Sequence, residues 1–267
     1  MSVLRIFIGL FVLITISVVE VYAAPTTAIL DSGIAINEIL IDPNSGASGF
    51  DTDNNGTADS RDEFIELYNL SGSTIDISNW ELWDSGSGNW FAFPPGTQLV
   101  SGAYATVVIG VQAGGTLPTM TNPDSVIFDA GRGTSVINNG GDNVVLYDPG
   151  NDEYIQLLFN GDLPDDPTIT YVGFSGTAIR VGPIEDWGSD QDTRSLTRYP
   201  SGDTAIGVHD VITPGGQPAS PTAVNLKSFS SKSFPSIETI FIVIVAILSL
   251  ISVVIIFRRQ THQNTRP

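Results

Sequence analysis

The chain has no cysteine among its 267 residues and only two histidines, His209 and His262. The lack of cysteine excludes disulfides, thiolate metal sites and thiol nucleophiles. A histidine metal site or a Ser-His-Asp triad before the C-terminal tail would have to rest on His209 alone, and we interpret this residue as a surface-loop histidine. No paired-carboxylate, phosphate-loop or dinucleotide motif is recognisable either. These absences argue against the familiar catalytic sites.

Basic residues are also scarce. The chain has 11 lysines and arginines against 29 acidic residues, which gives a formal net charge of −18. Nucleic-acid binding draws its strength from lysine and arginine contacts with phosphates, so we expect no nucleic-acid partner. An acidic surface suits solubility, a salty medium or divalent cations, and simple solvation is the alternative interpretation.

Amphipathic helical patterns are absent between residues 34 and 218, and short runs with an alternating, period-two pattern take their place. Glycine, proline and asparagine turns separate nearly all of these runs. Many short strands with such punctuation predict an all-β fold, an antiparallel β-sandwich. The predicted strands are residues 34–41, 64–69, 75–82, 103–111, 125–128, 143–147, 154–159 and 170–174.

The segment 62–84, DEFIELYNLSGSTIDISNWELWD, is the most informative part of the chain, and it resembles the lamin-tail domain. Two later parts of the chain are similar to family motifs. Residues 93–97, FPPGT, match an F-P-x-G-T corner. The closing segment of the family is matched by Ser195-Leu196-Thr197-Arg198 together with Thr213-Pro214-Gly215. The resemblance covers residues 34–218 and implies a compact immunoglobulin-like sandwich. Some members are fused to nucleases or associated with chromatin, but the acidic composition argues against that role here.

The N-terminus has the pattern of an export signal. Arg5 precedes an apolar run, residues 6–19, and small residues follow near position 23. We therefore predict a cleaved signal peptide at residues 1–23, with an uncleaved N-terminal anchor as the alternative.

The C-terminus has the pattern of a membrane anchor. We predict a transmembrane helix at residues 237–257, whose apolar run 239–257 is long enough to span ~28 Å at ~1.5 Å per residue. Arg258 and Arg259 follow directly, so residues 258–267 are predicted to be a basic cytoplasmic tail. Residues 219–236, rich in serine, threonine and proline, are predicted to be a flexible stalk. A sorting signal processed by a sortase-like enzyme is the alternative to a retained anchor.

One loop carries recognisable chemistry. Residues 51–62, DTDNNGTADSRD, match the spacing of a twelve-residue calcium loop inserted between the first two strands. Position twelve is an aspartate where glutamate is usual, and the next residue, Glu63, should point away from the loop. We expect a structural calcium ion here, with a metal-free acidic turn as the alternative. The predicted ligands are Asp51, Asp53, Asn55, Thr57, Asp59 and Asp62.

Two further patterns allow alternative interpretations. Asn55 and Asn69 each begin a glycosylation sequon, and a glycan on Asn55 would exclude metal ligation by that residue. Trp80 is predicted to lie in the core. Four other aromatic residues are expected either to pack in the core or to form a stacking platform for sugar rings. These four are Trp83, Trp90, Phe91 and Phe93.

The combined prediction is a single-pass protein of the cell membrane with its N-terminal domain outside the cell. Its sandwich would be a non-catalytic surface interaction or envelope-structural module with a calcium loop, and its partner an unidentified protein or glycan. The alternative from another class is a carbohydrate-active or other hydrolytic surface enzyme. Converging carboxylates of raised pKa in a cleft would favour that alternative.

Overall fold

Residues 27–43 and 49–218 are described by a computed structural model, and they fold into two main β-sheets packed face to face. One helical turn and thirteen strands make up this region. They are β1 Ile34–Leu40, β2 Phe64–Asn69, β3 Ile75–Asp76, β4 Glu81–Asp84, β5 Gly88–Ala92, β6 Gln98–Leu99, β7 Tyr104–Val108, β8 Val126–Asp129, β9 Asp142–Asp148, β10 Glu153–Phe159, α1 Pro167–Thr170, β11 Ile179–Asp186, β12 Ser195–Arg198 and β13 Ile206–His209.

The first sheet has six strands in the order β13-β12-β1-β2-β7-β8. Side chains alternate between the two faces of a strand, so Ile65 and Leu67 of β2 both point into the core. They give the inner face of this sheet its aliphatic character. In β1 the pairing register with β2 shifts between Ile36 and Glu38, which interrupts the alternation of side chains between the two faces. Ile36 and Ile39 therefore both reach the core. The shift leaves Glu38 on the outer face.

The second sheet has five strands in the order β11-β10-β9-β4-β5. Leu82 of β4, Leu146 of β9 and Leu157 of β10 meet the aliphatic residues of the first sheet in one continuous core. A separate pair, β3 with β6, forms a two-stranded ribbon. The all-β architecture is therefore consistent with the predicted immunoglobulin-like sandwich.

The expectation of a purely antiparallel sandwich is wrong at two edges. Strand β8 pairs with β7, and β11 pairs with β10, in the parallel sense. A parallel neighbour needs a crossover connection instead of a hairpin. The segment from β10 to β11, residues 160–178, provides that connection and covers the outer face of the second sheet with Tyr171 and Phe174.

The predicted strand at residues 170–174 is also corrected by this crossover. Thr170 ends helix α1, and Tyr171 to Phe174 form a turn in which the Phe174 amide donates to the Tyr171 carbonyl at 3.2 Å. The apolar residues of this run pack as a turn against a sheet, which period-two patterning does not distinguish from a strand.

The predicted strand at residues 75–82 is interrupted. Only Ile75–Asp76 and Glu81–Asp84 are strands, because Asn79 between them adopts a left-handed conformation with φ 62°. The turn inserts Trp80 into the core, where it is 4% exposed, so the prediction of a core tryptophan is confirmed.

The closing strands join the two sheets through a buried arginine. Arg198 of β12 donates from Nε to the Ile36 carbonyl at 2.8 Å and from Nη1 to the Asp203 carbonyl at 2.9 Å. Its Nη2 pairs with Glu185 of β11, and the guanidinium lies 5.1 Å from the Trp187 ring centroid. This is the structural role of the arginine in the closing motif.

His209 is not a surface-loop residue. It ends strand β13 opposite Ser195, is buried, and its ring lies 6.0 Å from that of Tyr199. The prediction was wrong because residues 206–209 form an edge strand, and the glycine within it obscured the strand pattern.

The predicted signal peptide 1–23, stalk 219–236, transmembrane helix 237–257 and tail 258–267 lie outside the described residues. Within residues 27–43 and 49–218, no helix has the length and apolar character needed to cross a membrane.

Candidate metal site

Three of the predicted calcium ligands converge in the loop between β1 and β2. Asp51, Asp53 and Asp62 each place a carboxylate oxygen within 4.8 Å of the others. Asp53 and Asp62 are fully buried, and Asp51 is partly exposed. Strands flank the loop on both sides, as the sequence predicts, so the site belongs to a β-sheet connection.

Backbone amides fix the orientation of all three carboxylates. Asp51 accepts from the amides of Asn55 and Gly56, at 3.1 and 2.6 Å. Asp62 Oδ1 accepts from the amides of Thr52 and Asp53, at 2.9 and 3.1 Å. Hydrogen bonds to the ionised form stabilise it, so this arrangement holds negative charge at one point.

The tight winding of the loop depends on two left-handed residues. Asn54 has φ 56° and Gly56 has φ 95°. Glycine tolerates this conformation without a steric cost, and asparagine tolerates it better than most other residues. The glycine at position six of the loop therefore has the turn-forming role that the spacing predicts.

The other predicted ligands are arranged differently. Asp59 accepts from the Arg61 amide at 2.8 Å and pairs with the Arg61 guanidinium at 3.2 Å. The Asn55 side-chain oxygen accepts from the Thr57 amide at 2.7 Å, and Thr57 is exposed. Glu63 turns away and accepts from the Ser135 hydroxyl at 2.8 Å, as expected from strand alternation.

The pKa shifts follow from these contacts. Burial raises the pKa of Asp62, and the nearby charge of Asp53 adds to the rise despite opposing backbone hydrogen bonds. Partial burial also acts to raise the pKa of Asp59, but the hydrogen bonds and charge of Arg61 outweigh it, so this pKa is lowered. The loop's arginine thus neutralises Asp59, whereas the charge at Asp51, Asp53 and Asp62 lacks such compensation in its described contacts.

The site fits a hard divalent cation. Calcium prefers several carboxylate and carbonyl oxygens in a flexible loop, and three carboxylates already point to one place. Burying like charges together is costly unless a cation or proton offsets them. Asp51, Asp53 and Asp62 are the residues that would hold the ion.

A second segment, which the sequence did not reveal, completes the site. The Gln112 amide donates to Asp53 Oδ2 at 2.6 Å, and the Thr116 amide donates to the Asp53 carbonyl at 2.6 Å. Gln112 also donates from Nε2 to Asp59 Oδ1 at 2.9 Å and accepts a hydrogen bond from Arg61. The loop 51–62 is therefore tied to the connection between β7 and β8, more than fifty residues away in sequence.

The position of Asn69 in the fold argues against a glycan at this sequon. Asn69 is fully buried, and its Nδ2 donates to the carbonyls of Ser73 and Leu99 at 2.8 and 2.7 Å. A glycan attached to this nitrogen is incompatible with these contacts. The Asn55 side chain is only partly buried.

The four aromatic residues near the β4–β5 hairpin pack rather than form a platform. Trp90 and Phe93 belong to the main core, and Phe91 packs against it. Trp83 belongs to a second cluster on the outer face of the second sheet. Phe93 meets Phe91 edge-on at 5.0 Å, a geometry typical of buried aromatic pairs.

Two surface depressions, of 470 and 580 Å³, lie on the described domain. The first lies between Asp31 and Glu153, and the second between Asp76 and Asp148. Burial strongly raises the pKa of four carboxyl groups elsewhere in the domain, and none of the four lines either depression. They are Glu38, Glu63, Glu66 and Asp142. Their burial argues for structural roles.

Comparison with known proteins agrees with the architecture. Residues 30–161 match the family model described as Lamin Tail Domain, which supports assignment of this segment to that family. The family consists of structural immunoglobulin-like domains and is not known as enzymatic. No curated protein matches the chain. The match ends before β11, β12 and β13, although β12 and β13 complete the first sheet.

Proposed function

We propose that this protein is a single-pass cell-membrane protein whose extracellular lamin-tail-type domain is a non-catalytic interaction or envelope-structural module, stabilised by calcium in the loop 51–62. The observation that carries the calcium assignment is the convergence of Asp51, Asp53 and Asp62, whose carboxylates are each oriented by backbone amides. The fold itself does not specify a ligand.

The ion would act as a structural staple. The loop joins the two central strands of the first sheet, and it contacts the β7–β8 connection through Gln112. Binding at this junction fixes two irregular segments at once. Outside the cell, calcium is present at millimolar levels that occupy even weak loop sites, and binding only to the folded state stabilises it.

A non-catalytic role is supported by the family match and by the burial of the strongly shifted carboxyls. Its partner would be a protein or glycan of the cell surface, and the acidic composition disfavours nucleic acid. Pull-down from the cell surface, with calcium and then with a chelator, should recover a partner only with calcium. Turnover of a polysaccharide or peptide by the purified protein, lost on substituting one carboxylate, would contradict the non-catalytic role.

Calcium should raise the thermal midpoint of the protein, and Asp51→Ala or Asp53→Ala should remove most of that gain. At free calcium one hundred times the dissociation constant, binding adds ~2.7 kcal/mol. At roughly 2–4 °C per kcal/mol for a domain of this size, this corresponds to a shift of about 5–11 °C. Differential scanning calorimetry with calcium, magnesium or chelator measures it.

The matched control is Asp124→Ala, which removes an exposed acid outside the loop and should keep the full calcium response. Magnesium should do less, because it requires a compact octahedral site. If the Asp51 and Asp53 variants respond as strongly as the parent, the loop is only an acidic turn.

The topology gives a separate prediction. Protease added to intact cells should degrade residues 34–218 and leave only the tail after Arg258 protected, because Arg258 and Arg259 favour a cytoplasmic end. Immunoblotting with antibodies to the domain and to the tail measures both. A domain digested only after lysis would overturn the assignment.

A further inference from the structure

Two fully buried glutamates face each other on the outer side of the first sheet. Glu38 of β1 and Glu66 of β2 are direct cross-strand partners, and both are 0% exposed. Residues paired in this way share a face, with Cβ atoms ~4.5–5.5 Å apart, and like charges placed there repel. Their neighbours Ile39 and Ile65 point to the core, so the two acids lie on the opposite face.

The closing segment, residues 212–217, covers this pair. Thr213 donates to Glu38 from its amide at 3.4 Å and from its hydroxyl at 3.1 Å. The Gly215 amide donates to Glu66 Oε2 at 2.5 Å. Ile212 packs on the apolar cluster beside the acids. The closing Thr-Pro-Gly motif is therefore held by two carboxyls of the first two strands.

The remaining partners of the pair are neutral. Glu66 also accepts from the Thr106 hydroxyl at 2.8 Å and from Asn37 Nδ2 at 3.4 Å. The ion pairs in the described part of the chain involve other acids, namely Asp59, Asp210 and Glu185. A proton is then the simplest charge that offsets two buried carboxylates side by side.

We propose that Glu38 and Glu66 form a proton-dependent clasp: a proton held by the pair keeps the closing segment on the first sheet, and ionisation of both carboxyls releases it. The clasp acts on the last part of the domain, where the chain leaves the sandwich. It does not depend on the calcium loop or on membrane anchoring.

The direction of the pH effect follows from linkage. Burial raises the pKa of Glu38 to about 7, and burial together with the charge of Glu38 raises the pKa of Glu66 well above its usual value. After release both carboxyls return to ordinary values near 4.5. Because the pKa values are raised in the closed state, the clasp is strongest below about 4.5 and weakens as the pH rises through the closed-state values.

Other titratable groups near the pair act differently. Tyr104 of β7 has its pKa raised to about 12 by burial, so it stays neutral throughout, and Tyr68 lies against it. His209 of β13 lies two strands from Glu38, opposite Ser195, and imidazoles titrate in the same pH range. A His209→Gln variant separates its contribution from that of the glutamates.

Hydrogen exchange measured by mass spectrometry between pH 5 and pH 8 tests the clasp. In the parent, the protection factor of peptides covering residues 212–217 should fall at least tenfold per pH unit between about pH 5 and pH 7, because the closed pair binds at least one more proton than the released pair. Peptides from β9 and β10 serve as the internal reference. Protection factors already correct for the pH dependence of intrinsic exchange.

Glu66→Gln removes one ionisable group but keeps the size of the side chain, so protection of residues 212–217 should fall less steeply with pH than in the parent, because Glu38 still titrates with a pKa raised by burial. The double variant Glu38→Gln/Glu66→Gln should make protection independent of pH. Glu38→Gln should likewise make the fall less steep, because burial still raises the pKa of Glu66, and it replaces the first single variant if that one fails to fold. The matched control, Glu153→Gln, changes a buried glutamate of the second sheet and should leave the pH profile intact.

Two further variants distinguish the clasp from ordinary packing. Thr213→Val should lower protection by a similar factor at every pH, because it removes a hydroxyl donor without changing the acids. His209→Gln should retain the parent profile. A parent profile that is flat between pH 5 and pH 8, or a fall as steep as in the parent that persists in both single glutamine variants or in the double variant, would overturn the proposal.

Discussion

Arg198→Ala is expected to lower the free energy of unfolding by about 3–5 kcal/mol, because it leaves a largely buried acid without its cation. The Arg198 side chain is fully buried and pairs with Glu185 of the opposite sheet. Its loss also leaves the carbonyls of Ile36 and Asp203 without a donor, which costs further free energy. Urea denaturation followed by tryptophan fluorescence measures the change.

The control for this substitution is Arg194→Ala. Arg194 pairs with Asp210 at 2.7 Å, but both side chains are well exposed, at 41% and 65%. An exposed ion pair contributes only about 0–1 kcal/mol. If both variants lose similar stability, Arg198 does not join the sheets in the way that its contacts indicate.

The contrast between these arginines shows what sequence motifs convey. The closing motif containing Arg198 was recognised by resemblance, and the structure supplies its physical basis: one side chain that bonds β1, β11 and the following loop. The strands β2, β9 and β10 were predicted to within one residue at each end because their runs are dense in β-branched and aromatic residues.

Elements that depend on distant partners were not predictable in this way. The strand β11 carries only exposed or half-buried residues, including a glycine and a proline, and it is held at the edge by parallel pairing with β10. The turn at Asn79 breaks a run that alternates well by composition alone. The rest of the fold, and not local composition, determines both the strand β11 and the turn at Asn79.

The candidate metal site was predictable in part. Spacing placed Asp51, Asp53 and Asp62 in one loop, and the structure brings them together. The same spacing did not reveal that Asp59 forms an ion pair with Arg61. It also did not reveal that Gln112 contacts the loop from the connection between β7 and β8. Such contacts arise from the sheet order, which brings β2 beside β7.

The glutamate pair was missed for a related reason. Glu38 and Glu66 sit within strands of mostly apolar residues, and an acid in such a run ordinarily marks a solvated face. Only the return of residues 212–217 over that face buries them. An acid inside a strand that is apolar on both faces is therefore a useful signal of a hidden polar partner.

Phe174→Ala is expected to destabilise the domain by about 3–5 kcal/mol through the cavity it leaves. Phe174 anchors the β10–β11 crossover against an aromatic cluster on the second sheet. Its ring centroid lies 5.2 Å from Trp83, 4.8 Å from Tyr147, 5.5 Å from Tyr154 and 6.2 Å from Tyr171. Several of these contacts are edge-on, a favourable geometry that alanine cannot replace.

The same crossover provides the control, since Val172 lies two residues away and is 93% exposed. Val172→Ala should change the free energy of unfolding by no more than about 0.5 kcal/mol. Urea denaturation compares the two variants, and hydrogen exchange of residues 160–178 should show lost protection only for Phe174→Ala. Equal stability of both variants would mean that the crossover is held by its backbone and not by the aromatic cluster, since side-chain packing is what distinguishes Phe174 from Val172.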